Sequence, residues 1–204
     1  YLLICLFIYL FICWVCCRAA EALEALAAGA ARRVYVARDG RVCSVVTQSA
    51  VVAELAQRQG ELLGDMAAQT LAQLGLPSQA SPFVVESAKL SDTFQAAFAH
   101  LAEKQLSAMP VTDSLQRMHG TLAARDLLGK LAHPALFRTL LQPLQDYPDF
   151  SLHHVTCTPD STLGECLERL AATKVHRLWV VDPANLVLGV LSLQDVLACL
   201  LVPR

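Results

Sequence analysis

Two stretches of the 204-residue chain carry the same pattern at a fixed offset, and a repeat of this length constrains the fold before any single residue does. Ser107-Ala108-Met109-Pro110-Val111-Thr112-Asp113 is followed 13 positions later by Asp126, and His176-Arg177-Leu178-Trp179-Val180-Val181-Asp182 is followed 13 positions later by Asp195. The units are offset by 69 residues throughout. The same offset aligns a preceding helical pattern: Phe94, Ala97, Phe98 and Leu101 match Leu163, Cys166, Leu167 and Leu170, each set spaced i, i+3, i+4, i+7 for one buried helix face. Upstream of each helix lies a short extended stretch, Phe83 to Ser87 and His153 to Cys157. Downstream come a β-rich run, a turn, a second strand and an apolar helix.

A degraded third copy appears near the start when Arg38 is set in register with Asp113 and Asp182. Ala19, Ala22, Leu23 and Leu26 then fall on the helix face, and Val34 to Val36 form a strand. Asp39-Gly40 is a type I′ hairpin signal leading into Val42 to Val46, and a helix from about Ser49 to Gln59 closes the unit. Each copy therefore reads β-α-β-β-α, a mixed α/β unit too small to bury both its sheet and its helices alone, so copies must pair. The boundaries are an apolar segment over 1–17, a partial repeat over 18–60, and full repeats over 81–131 and 151–202. The two full repeats form the expected pair. Between them runs a linker carrying Pro134, Pro143, Pro148 and Asp149, and Gly60 to Ala80 separates the first copy from the pair.

An apolar content of 55% with 17% charged residues excludes a disordered chain. Sixteen basic against 18 acidic residues offer no overall footprint for nucleic acid. The eight cysteines crowd into the apolar start or sit singly inside periodic segments, a pattern of buried thiols in a reducing compartment rather than a disulfide framework. Cys13 and Cys16 have C-x-x-C spacing, but no second ligand pair follows at zinc spacing, and no metal site is expected. No nucleophile-base pair or phosphate-cradling glycine loop marks an enzyme.

Tyr1 to Cys17 is an uninterrupted apolar run ended by Arg18. It sits at the short edge of a membrane span. The repeat register places the first copy's opening strand at about Leu10 to Cys13, inside the same run. Three fates stay open for it: a strand of the repeat, a membrane anchor with acylation at Cys16 and Cys17, or translated non-coding sequence.

The residues resemble a known family. His176-Arg177-Leu178, Val180-Val181-Asp182 and Gly189-Val190-Leu191-Ser192-Leu193-Gln194-Asp195-Val196-Leu197 resemble the last cystathionine-beta-synthase-type (CBS) repeat of AMP-activated protein kinase gamma subunits, the sucrose-non-fermenting-4-like proteins. Ser107-Ala108-Met109-Pro110-Val111 resembles the strand of their third repeat. The resemblance implies tandem CBS repeats in a Bateman module that holds AMP, ADP or ATP in clefts as a regulatory ligand. It also implies partnership with a kinase catalytic alpha subunit and a beta scaffold, in the cytoplasm or nucleus. It assigns ribose binding to Asp195 and Asp126, phosphate contacts to His176, Arg177 and Ser192, and ligand contacts to Ser107, Ala108, Pro110 and Thr158. A carboxylate accepts from both hydroxyls of a cis-diol, and Arg offers phosphate a planar fork of donors. No resident cofactor is implied.

Each assignment has a plainer alternative. Asp126 and Asp195 open helices, where an acid caps free amides without any ligand; local residues alone favour capping, and the equal spacing with the resemblance favours ribose. His176 and Arg177 also suit a solvated strand end, Ser107 and Thr158 a turn. His153 and His154 point to opposite faces, and Trp179 suits the core. The resemblance also has gaps. Ala50 stands where the first copy would need its Asp, Ala123 replaces a phosphate-side Ser, and Gln105 stands where Arg is common, while Arg32 and Arg33 occupy the His-Arg position of the first copy.

Overall fold

The computed structural model describes residues 3–8, 11–15, 19–77, 85–126, 138, 140–146 and 154–201. The chain divides into two units, one made of Tyr1–Gln79, Pro159–Leu178 and Leu191–Arg204, the other of Ala80–Thr158 and Trp179–Val190. Pro134, Pro148, Asp149, His153 and the residues directly after Asp126 lie outside the described residues.

In the first unit, β1 (Leu3–Ile8) and β2 (Phe11–Val15) form an antiparallel pair, and β1 also pairs antiparallel with β3 (Arg33–Arg38). The apolar start is thus two strands rather than one near Leu10 to Cys13, and it extends the sheet in the order β2-β1-β3-β4. No helix among the described residues is long and apolar enough to cross a membrane. β3 returns into β4 (Arg41–Thr47) over Asp39 and Gly40, whose φ values of 52° and 74° are both left-handed, as a type I′ turn requires. The ladder skips Cys43 at a bulge, since Val36 faces Ser44 and Ala37 faces Val42. Cys43 is exposed, as are its neighbours from Arg41 to Val45, and is not a buried thiol as expected; its Sγ lies 3.3 Å from the Val36 carbonyl oxygen.

Helices α1 (Ala19–Ala27) and α2 (Gln48–Gln57) follow the strands of the first copy; Thr47 caps α2 by accepting from the Ala50 amide at 3.1 Å. The short α3 (Gln59–Leu62) comes next. From the last repeat, α5 (Leu163–Thr173) opens with a complete capping box of Thr162 and Glu165, and α6 (Leu193–Leu201) closes the repeat. α2 packs on α5, and α1 and α2 pack on α6. The buried faces are Leu26, Val52 and Leu55 against Cys166, Leu167, Leu170, Val196 and Leu197. The last repeat therefore buries its helices on the first copy.

The second unit holds β5 (Ala88–Lys89), α4 (Phe94–Glu103), β6 (Ala108–Thr112) and β7 (Met118–Ala123) in a sheet of order β5-β6-β7. Its core is Ala88, Phe94, Ala97, Leu101, Met109, Val111, Leu122 and Leu144. The last repeat contributes β8 (Thr156–Cys157), which runs parallel to β9 (Arg177–Val181), and β9 neighbours β10 (Val187–Ser192). A second cluster, Met118, Trp179 and Val181 with Val85, Val187 and Val190 against it, packs one hairpin on the other. Trp179 is core, and its Nε1 donates to Thr121 Oγ1 at 2.7 Å. Sequence pairing of the full repeats accounts for the hairpins alone. A β-α-β-β-α unit has two apolar faces, sheet and helices, and the last repeat covers them with two different neighbours.

The presumed separators are structural. Leu71 is fully buried, with Leu71 N donating to Ser161 O and Ala72 N to Pro159 O, both at 2.9 Å, while Leu163 N donates to Gln69 O at 2.9 Å. In the other unit Leu144 does the same work: Leu144 N donates to Asp92 O at 2.9 Å, Gln145 N to Leu90 O at 3.0 Å, and Phe94 N to Gln142 O at 3.2 Å. Each segment covers the start of a repeat helix and supplies partners for its end amides. Neither docks on the repeat that directly follows it.

Candidate functional site

The closing helices of the two full repeats begin in the same way. Asp126 Oδ2 accepts from the Ala123 amide at 2.8 Å, and Asp195 Oδ2 accepts from the Ser192 amide at 2.8 Å. The main chain of the strand-opening residue ties to the same helix start in both copies: Ala124 N donates to Ser107 O at 3.0 Å, and Leu193 N to His176 O at 3.2 Å. These bonds bring Ser107 to Asp126, and His176 to Ser192 and Asp195, because β6-β7 and β9-β10 are hairpins whose open ends lead directly into the closing helix. Asp126 and Asp195 are both half-buried, and neither turns fully into solvent.

The two sites differ in one hydroxyl. Ser192 Oγ donates to Asp195 Oδ2 at 2.6 Å and accepts from the Asp195 amide at 3.3 Å, a reciprocal cap. Ala123 has nothing to return. Capping is therefore what these carboxylates do in this structure, and it occupies one oxygen of each. Among the described residues no donor reaches Oδ1 of Asp126 or Asp195. A carboxylate held by one oxygen against a helix start leaves the other, with two lone pairs, for a diol.

The remaining predicted residues fall as follows. Arg177 is half-buried at the first position of β9, and the His176 side chain is exposed. Ser107 is exposed, whereas Ala108 and Pro110 are buried within β6, where Ala108 faces Ala123 across the ladder. Thr158 is half-buried just beyond β8, whose Cys157 faces Val180, so it leaves the sheet beside the hairpin turn. In the first copy Ala50 supplies only its amide to Thr47, leaving no carboxylate there.

Further equivalences support the two-copy reading. Gln105 and Lys174 both take left-handed φ values, 53° and 55°, where the first helix ends, and Gln116 and Asn185 do so at 64° and 65° in the hairpin turns. Asp113 Oδ1 accepts from Arg117 N at 2.9 Å, and Asp182 Oδ1 accepts from Leu186 N at 2.7 Å. Gln105, where the resemblance favours Arg, thus fills a backbone role. Among the described residues no group of three His, Cys, Asp or Glu side chains is placed to hold a metal ion.

Comparison with known proteins bears on these sites. The CBS-domain family model matches residues 149–202. The SNF1-related protein kinase regulatory subunit gamma-1-like of Arabidopsis thaliana is 30% identical over 185 residues, covering 82% of this chain and 41% of that protein. The 5'-AMP-activated protein kinase subunit gamma-3 of Bos taurus is 48% identical over 46 residues, 22% of this chain and 9% of that one. The chain thus spans about two fifths of the first relative's length. Among solved structures, a Methanocaldococcus jannaschii protein proposed as an archaeal homologue of g-AMPK superposes with a TM-score of 0.68 at 15% identity, over 89% of this chain and 63% of that one; it shares the fold. Residues 149–202 thus match the CBS-domain family, and the chain as a whole is similar in sequence to the gamma regulatory subunits of SNF1-related and AMP-activated protein kinases.

Proposed function

We propose that the chain is a regulatory subunit that binds adenine nucleotides at its CBS repeats and conveys their balance to a protein kinase catalytic subunit, alongside a beta-type scaffold. The observation that carries this reading is the matched pair of half-buried carboxylates, Asp126 and Asp195, each anchored through Oδ2 with Oδ1 left to accept from ribose hydroxyls. Ser192, His176 and Arg177 would meet the phosphates at the last repeat, with Ser107, Ala108, Pro110 and Thr158 completing ligand contacts. Ser192 makes Asp195 the stronger of the two sites, because its hydroxyl fixes the carboxylate. Regulation requires that AMP and ATP favour different arrangements, since equal affinity for two states shifts neither. The names of the relatives, regulatory subunits rather than catalytic ones, support a non-enzymatic role.

The test is a thermal-shift titration with AMP, ADP and ATP. A ligand at a hundredfold its dissociation constant stabilises the native state by about 2.7 kcal/mol, a shift of several degrees for a chain of this size. No shift with any of the three at millimolar concentration would leave a CBS scaffold without nucleotide response.

A further inference from the structure

The first copy fastens the last repeat at two places, and both fastenings lie within the first unit. The chain leaving the first copy passes over the start of α5. Ala72 N donates to Pro159 O and Leu71 N to Ser161 O, both at 2.9 Å, and Leu163 N donates back to Gln69 O at 2.9 Å. Pro159 directly follows Thr158, a residue expected to meet ligand. The second unit has the same three bonds at acceptor and donor positions 69 residues earlier: Gln145 N to Leu90 O, Leu144 N to Asp92 O, and Phe94 N to Gln142 O. A strap over the helix start is therefore a recurring part of the repeat. Its origin differs between the two. The second repeat is strapped by the chain that leaves the second repeat itself, whereas the last repeat is strapped by the first copy.

Two residues of the last repeat are fitted to this clasp. Gly164, in the first turn of α5, lies under the strap: a Cβ there would overlap the Gln59 side chain and stand 3.1 Å from the Ala67 carbonyl oxygen. Gln59 Nε2 donates to Glu168 Oε1 at 3.0 Å and to Gly164 O at 3.4 Å. Glycine inside a helix is unfavourable relative to alanine, and close approach of another segment is what it permits. The second fitted residue is Gln194, which directly precedes Asp195 and lies against Gly29 of the first copy. A Cβ on Gly29, whose φ is 69°, would stand 2.7 Å from Gln194 Oε1 and 2.8 Å from its Nε2. The second repeat carries Gln95 and Arg125 at the positions of Gly164 and Gln194, so the repeat fold by itself calls for neither residue.

We propose that the first copy is coupled through this clasp to nucleotide bound at the last repeat, with Gly164 and Gln194 as its positioning residues. The inference rests on the nucleotide reading above. The first copy has Ala50 in place of a ligand carboxylate, yet it holds the backbone next to both Thr158 and Asp195. A clasp that orders these segments beforehand lowers the ordering cost of binding. Coupling is reciprocal, so bound nucleotide tightens the clasp in return.

The test is calorimetric titration of AMP and ATP into the 204-residue chain, Gly164→Ala and Gln194→Ala, joined to amide hydrogen exchange with and without nucleotide. In the parent, nucleotide is expected to slow exchange at the Leu71 and Ala72 amides. Both variants are expected to lose roughly three- to tenfold in affinity and part of that slowing. Their ligand-free melts stay near the parent's, because each substitution places alanine in a helix. A merely structural role would lower the melt and leave the affinity of the folded protein unchanged. Gln194→Ala, at an exposed position, carries the test if Gly164→Ala does not fold. Saturable binding that is equal in parent and folded variants overturns the coupling while the nucleotide reading stands. So does lost affinity in Gln194→Ala with strap exchange as in the parent, which reports a direct ligand contact instead. A parent chain that binds neither nucleotide overturns both.

Discussion

At the scale of single residues, the two ways of reading an acid at a helix start prove compatible. Asp195 caps through Oδ2, as local chemistry favours, and the same anchoring leaves its second oxygen for the ligand the proposal assigns to it. The roles separate experimentally. Ser192→Ala removes one member of the reciprocal cap and is expected to cost about 1 kcal/mol in a urea melt. Asp195→Asn retains a side-chain oxygen able to cap, so its melt stays near that of the parent while nucleotide stabilisation falls. A second residue-scale expectation concerns Glu86, whose carboxyl takes Lys104 Nζ at 3.1 Å and His100 Nε2 at 2.9 Å. Lys104 first and His100 second hold it below the ordinary carboxylate value. A carboxyl depressed in the folded state adds stability above its unfolded pKa, and that contribution fades as pH falls through the folded value. The urea midpoint should thus drop on acidification from about pH 6 to about pH 3, and drop less in Glu86→Gln.

At the scale of elements, much was legible in the sequence. The 69-residue offset located both helices, both hairpins and the turn residues of the full repeats, because turn chemistry and helix periodicity repeat with it: Gln116 and Asn185 share one unusual φ, as do Gln105 and Lys174. The type I′ turn at Asp39-Gly40 was legible because only a few residue pairs tolerate two left-handed positions in succession. The segments around Leu71 and Leu144 were not. Their apolar residues are few and are broken up by Gln, Gly and Pro, too short a run for any periodicity, and their partners lie far away in sequence. Burial is nonetheless complete at both, so Leu71→Ala and Leu144→Ala are each expected to destabilise by about 2 to 5 kcal/mol, read as a lowered urea midpoint. Were these segments mere tethers, both substitutions would be nearly neutral. Cys43 was misplaced for a different reason: its apolar neighbours Val42 and Val45 suggested a buried strand, whereas Arg41 to Val45 are all exposed.

At the scale of the whole chain, copy number governs what is built. The last repeat spends its helices on the first copy within one unit and its hairpin on the second repeat within the other, which a pairing scheme of only two members cannot describe. The placement of the residues expected to meet ligand was legible where spacing is shared by both full repeats: one backbone bond in each copy, Ala124 N to Ser107 O and Leu193 N to His176 O, ties the strand opening to the helix start that carries Asp126 or Asp195. Thr158 was named from resemblance alone, and its strand carries it toward the hairpin turn. The central claim, that Asp126 and Asp195 hold ribose while capping their helices, is tested most directly by isothermal titration of AMP into the parent chain, Asp126→Asn and Asp195→Asn, each checked for a native melt. The account predicts saturable binding to the parent, a loss of roughly tenfold or more in affinity in Asp195→Asn, and a smaller loss in Asp126→Asn. Undiminished affinity in both folded variants would contradict it.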